Sequence, residues 1–178
     1  MRTGKTLFWV LLLCLSTSLA WAQKKADPAP VAAAPGGPLE IVIGENISTG
    51  MPLSQAMQLL GIPDKVKVIR GTSADRDSIE ISYPKHGLVI RAMTSGTQVE
   101  AIEAGPTFKG SFKSESGIKL GVKYQVVIGE YGLPNSLTAQ VMRYPKHGLY
   151  FQLNNERLLS AKTYMQGTKL LDSSLMNP

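Results

Sequence analysis

The sequence predicts an α+β fold of two tandem repeats, each a short helix packed on a small antiparallel β-meander. Three observations carry that prediction. The string Tyr-Pro-Lys-His-Gly-Leu occupies residues 83–88 and again residues 144–149, an offset of 61. Upstream, Asn46-Ile47-Ser-Thr-Gly50 followed by Gly61-Ile-Pro63 matches Gly117-Ile118-Lys-Leu-Gly121 followed by Gly132-Leu-Pro134, an offset of 71. Between these anchors run short segments of alternating polarity bounded by turn residues, the pattern of half-buried strands. The ten-residue difference falls between Pro63 and Tyr83, where the first copy carries the polar stretch 70–77. The first copy therefore has a longer loop or a longer hairpin.

Each element follows from local chemistry. A helix is expected over 52–60, with Pro52 suited to the first turn. Met51, Leu53, Ala56, Met57, Leu59 and Leu60 leave one side to Ser54, Gln55 and Gln58, an amphipathic arrangement. Gly61 supplies the left-handed stop and Pro63 prevents continuation. The matching helix covers 122–131 and is stopped by Gly132 and Pro134. Val126, Val127, Ile128 and Gly129 lower its propensity, so packing must hold it. Strands are expected at 66–69, 78–83, 88–93 and 98–103, with a turn at 94–97. The second copy repeats them at 137–144, 149–153 and 158–164, with a turn at 154–156. Short connections favour antiparallel meanders. A unit of roughly 60–70 residues is marginal alone, so the copies should fold as one body.

The ends are read separately. Arg2 and Lys5 precede an apolar run at 7–15, and Ala20-Trp21-Ala22 has the small-x-small form of a signal-peptidase site. Residues 1–22 are thus expected to be a signal peptide, too short in its apolar part to span a membrane. Residues 23–38 form a Pro/Ala/Gly-rich linker. The expected divisions are 39–108 for the first repeat, 109–171 for the second and 172–178 for a tail. Cys14 lies within the signal, so the mature chain has no cysteine and can be neither a thiol enzyme nor a cysteine-ligated metal protein. Loss of Arg2 and Lys5 leaves 17 basic residues against 13 acids, a formal charge of +4. That charge is scattered. A nucleic-acid binder would carry a denser basic stripe with interleaved aromatics.

Pro-Lys-His-Gly between strands reads as a turn, with Pro84 and Pro145 fixing φ at its start and Gly87 and Gly148 taking its left-handed end. Gly50 and Gly121 serve as further turn or cap positions. Turn chemistry does not require Lys and His to recur. Tyr83, Lys85, His86, Tyr144, Lys146 and His147 are therefore the candidate partner-contact residues, loops being where contacts concentrate. A shared metal is disfavoured, because each turn adds a lysine and lacks a neighbouring carboxylate. Acid–base catalysis would need both turns to converge on one pocket. No nucleophile elbow, phosphate loop or zinc-protease motif is present. Glu80, Glu100 and Glu103 read as a solvated sheet face.

Gly117-Ile-x-Leu-Gly121, Val126 and Val127, Gly132-x-Pro134 and Tyr144-x-x-x-Gly148-Leu149 resemble a repeat shared by two related groups. These are the β-lactamase-inhibitor-protein-like fold and the small lipoproteins of the outer-membrane protein assembly machinery. The resemblance covers roughly 47–164. It implies helices on antiparallel sheets, tandem copies forming a concave surface, protein binding in place of catalysis, and no catalytic residue. Members of the first group carry a disulfide in each copy, and members of the second a lipidated cysteine; this chain has neither feature in its mature part.

The resulting expectation is an exported, periplasmic or secreted, non-enzymatic module that binds another envelope or secreted protein through the sheet surface or the paired turns. It would use no cofactor, no metal and no nucleic acid, and would have no membrane span after signal cleavage. The alternative is a small ligand-binding protein or hydrolase with a His/Lys pocket, which requires the two turns to lie together.

Overall fold

Alternating strand polarity and the paired Gly-x-Pro stops produce the same order of elements twice. In the computed structural model, which describes residues 40–170, the first half contains β1 (Val42–Ile43), α1 (Leu53–Leu60), β2 (Lys65–Ile69), β3 (Ser78–Tyr83), β4 (Leu88–Met93) and β5 (Ala101–Ala104). The second contains β6 (Ser111–Phe112), α2 (Tyr124–Tyr131), β7 (Ser136–Leu137), β8 (Val141–Tyr144), β9 (Leu149–Asn154) and β10 (Arg157–Tyr164). The expected signal peptide, linker and C-terminal tail lie outside the described residues. None of the described helices is long and apolar enough to cross a membrane.

The two meanders merge into one eight-stranded sheet of order β2-β3-β4-β5-β10-β9-β8-β7. All neighbours in it are antiparallel, and the seam is β5 against β10, with Glu103 opposite Lys162 and Ala104 opposite Ala161. A second link joins the halves: β1 and β6 pair in parallel, Val42 with Ser111 and Ile43 with Phe112. Several backbone bonds made in one half recur in the other. Gly50 N–H donates to Val99 O as Gly121 N–H donates to Leu158 O. Asp64 N–H donates to Ser82 O as Asn135 N–H donates to Arg143 O. Gly105 N–H donates to Gly87 O as Tyr164 N–H donates to Gly148 O.

Both helices lie on one face of the sheet. Ala56 and Leu60 of α1 and Val127 of α2 join a core with Ile81, Tyr83, Leu88, Ile90, Ile102, Met142, Tyr144, Phe151 and Leu158. Phe112 sits edge-on to Phe108 at 5.8 Å and to Phe151 at 5.4 Å, so β6 is fixed to the second hairpin by aromatic packing.

Several element boundaries differ from the sequence expectation, most by a residue or two. Pro52 and Lys123 are extended residues preceding the helices, which start at Leu53 and Tyr124. The strand expected at 98–103 begins at Ala101, because Gln98 and Val99 instead bridge to Pro52 and bond to Gly50 and Met51. The strand expected at 137–144 is a hairpin. Thr138 Oγ1 accepts from the N–H groups of Gln140 and Val141, a hydroxyl-closed turn that separates β7 from β8. The ten extra residues of the first half lengthen its hairpin: β2 and β3 share five residue pairs, β7 and β8 only two. They also build the loop beyond it, where Asp77 is buried and accepts from Arg70 and from Gly71 N–H at 2.9 Å.

Candidate functional site

The repeated string forms two structural turns. Tyr83 and Tyr144 are buried, as are Leu88 and Leu149, so each hairpin is pinned into the core by its flanking residues. Gly87 and Gly148 have φ of 67° and 62°. A Cβ on Gly87 would stand 2.4 Å from Phe108 N, and one on Gly148 2.3 Å from Tyr164 O, so both positions exclude any other residue. Gly50, Gly61, Gly121 and Gly132 are likewise in positive-φ conformations.

Of the six candidate contact residues, the structure places the two tyrosines inside and Lys85, His86, Lys146 and His147 at or near the surface. The recurring histidine has a packing role. His86 lies over Tyr83 at 6.4 Å between ring centroids, and His147 lies over Tyr144 at 6.2 Å and Tyr131 at 5.4 Å. The strand register sends the two turns off opposite ends of the sheet, one after β3 and the other after β8. They stand four strand spacings apart, roughly 19 Å along the sheet at about 4.8 Å each. They do not meet in one pocket.

The helix-free face carries the more developed arrangement. Strand alternation brings Lys67, Glu80, Arg91, Glu103 and Lys162 to that face on five adjacent strands, with signs that alternate along the row. Lys67 Nζ lies 3.2 Å from Glu80, Arg91 Nη2 lies 2.9 Å from Glu80 and 3.3 Å from Glu103, and Lys162 Nζ lies 3.5 Å from Glu103. The Glu103 contacts are ion pairs by distance without hydrogen-bond alignment, since Glu103 Oε1 has no hydrogen-bond partner. Glu80 and Glu103 are therefore not a solvated face as the sequence suggested; their side chains retain 13% and 21% of their exposure. Burial raises the Glu80 carboxyl, but its hydrogen bond from Lys67 and the charge of Arg91 outweigh this and hold it below the usual range.

The two ends of this face are not alike. Tyr150, opposite Lys162, and Tyr164 meet edge to face at 5.7 Å and are buried with Ala101. In the first half the corresponding positions are Val89, opposite Glu103, and Gly105. There a cleft of about 480 Å³ opens beside the first turn, lined by Val89, Gly105, Glu103, Lys162, Ser160 and Gln152 among others. Its counterpart beside the second turn is a groove of about 330 Å³ walled by Tyr150 and Tyr164. The cleft was not anticipated. Its signal was nonetheless in the sequence, as a small pair aligned with an aromatic pair.

Among the described residues, no group of three histidine, cysteine or acidic side chains could hold a metal ion. No protein-family model, curated protein or solved structure matches this chain.

Proposed function

We propose that the chain is an exported, non-enzymatic protein-binding module of the bacterial envelope, built from two copies of one unit and docking through the helix-free face of its sheet. The observation that carries this reading is the cleft at Val89 and Gly105. It lies where the other half is filled by two tyrosines, beside charges already held in place by their neighbours. Preorganised polar groups next to an open apolar floor suit an aromatic anchor from a partner, because little is lost in ordering them. The paired turns support the same scaffold without being its contact, since they point away from one another and spend most of their residues on packing.

The test sets the two surfaces against each other. Val89→Tyr copies the residue of the second half and fills the cleft; capture of envelope proteins by the exported chain should fall at least tenfold, with thermal stability kept. Joint replacement of Lys85, His86, Lys146 and His147 by Ser should leave capture within about twofold. Loss of capture by the turn variant alone would move the contact to the turns and end the sheet-face reading.

A further inference from the structure

The ten-residue excess of the first half creates an unequal pair of sheet edges. At one end β7 is two residues long and its hairpin is closed at once by Thr138. At the other end β2 is five residues long and every one of them is exposed. An edge strand leaves every second N–H and C=O without a sheet partner, so a long bare edge is a template for another strand. Val66 and Val68 point to the helix side yet remain 56% exposed, because no helix reaches that far.

We propose that β2 is a docking edge for an extended acidic–apolar segment of a partner protein, which adds one more strand to the sheet. The charge row specifies the sign. It starts on the cation Lys67 at the free edge and runs inward through Glu80, Arg91, Glu103 and Lys162, so continued alternation places a carboxylate on the incoming strand. Lys65 projects from the same face of β2 and makes no ion pair among the described residues. Arg70, just beyond the strand, is engaged by Asp77. On the opposite face, Val66 and Val68 offer apolar neighbours for the alternate residues of the segment. A strand reading acid, apolar, acid, apolar meets both faces. A second copy of this chain does not: antiparallel self-pairing centred on Lys67 sets lysine against lysine, the charge device by which natural edges resist self-association. This edge is separate from the cleft, and the two surfaces fail or succeed independently.

The probe is a blocked peptide, Thr-Val-Glu-Val-Glu-Val-Thr, titrated into the isotope-labelled chain as it accumulates after export, alongside a version with Lys in place of Glu. Backbone amide shifts should concentrate at residues 65–69, and the acidic peptide should bind at least tenfold tighter than the basic one. That preference should shrink as salt is raised. Lys65→Glu, which disturbs no described ion pair, should weaken the acidic peptide by about threefold to tenfold and strengthen the basic one. Equal binding of both peptides, shifts confined to the cleft, or no shifts at millimolar acidic peptide would overturn the proposal. So would peptide-free broadening of the β2 amides that grows with protein concentration, since the edge would then be occupied by a second copy.

Discussion

Tyr83 and Tyr144 hold equivalent positions at the ends of β3 and β8, and burial raises both hydroxyls so that each is a neutral donor. Only one finds an acceptor. Tyr144 Oη donates to Gly132 O at 2.8 Å, whereas Tyr83 Oη is buried without a partner. A buried polar group left unpaired costs about 1–3 kcal/mol, while a made hydrogen bond contributes about 1 kcal/mol net. Tyr83→Phe should therefore be neutral or stabilising by up to about 1 kcal/mol. Tyr144→Phe should destabilise by about 0.5–1.5 kcal/mol, because it also strips the Gly132 carbonyl of its donor. Urea denaturation of the two variants decides this; equal losses in both would show that the tyrosines share one environment. Identical letters carry no sign of this difference, which depends on what stands at the far end of each ring.

At the level of elements, what could be read in advance was whatever local chemistry settles. Gly61 with Pro63 and Gly132 with Pro134 mark both helix ends correctly, period-two alternation finds β3 to the residue, and the apolar run 88–93 with its one arginine finds β4. The hairpin between β7 and β8 has no local signal, because Thr138-Ala139-Gln140 contains neither glycine nor proline and its turn is closed by a hydroxyl. Strands β1 and β6 are two residues each and pair with one another across the two halves, so no local pattern announces them. The loop between β2 and β3 was legible as an insertion but not as an ordered one. There the Asp75 carboxylate accepts from Lys169 Nζ and from Ser73 Oγ, both at 2.5 Å, which lowers its pKa to about 2. Asp77 is lowered too, first by the Gly71 N–H and then by Arg70. Both folded-state values lie below the unfolded one, so the stabilisation is complete above the ordinary carboxylate range and is lost as pH falls from about 4 toward 2. Acid titration followed by amide exchange at Gly71 and the resonances of Lys169 should show the loop parting from the 165–170 segment in that window. Asp75→Asn should show the same separation already at pH 6, and a loop unmoved at pH 2 would mean that these contacts do not hold it.

For the molecule as a whole, the decisive pairing is the one no local pattern could supply, β5 with β10. It turns two four-stranded meanders, each with an open inner edge, into a single sheet, and it sets Glu103 directly across from Lys162. Those residues are the counterparts of one another: Glu103 pairs with Val89 of β4, and Lys162 with Tyr150 of β9. The centre of the seam thus joins residues at matching register positions of the two meanders. Identical residues there would repel if charged; opposite charges let the row continue across the join. The parallel β1–β6 pair and the Phe108, Phe112 and Phe151 stack tie the halves again on the helix side. The first half, about 70 residues, cut from the rest of the chain would expose β5 as a bare edge, lose the partner of β1 and bury too little apolar surface to offset its chain entropy. Residues 39–108 produced alone should therefore lack the near-ultraviolet circular dichroism of a fixed Tyr83, the one tyrosine in that segment, and show no cooperative melt. The intact chain should unfold in one transition, with backbone and tyrosine signals coincident. A well-ordered isolated half, or two separated transitions in the whole chain, would mean that the seam is a contact between independent domains and that the continuous charge row across it is incidental to stability.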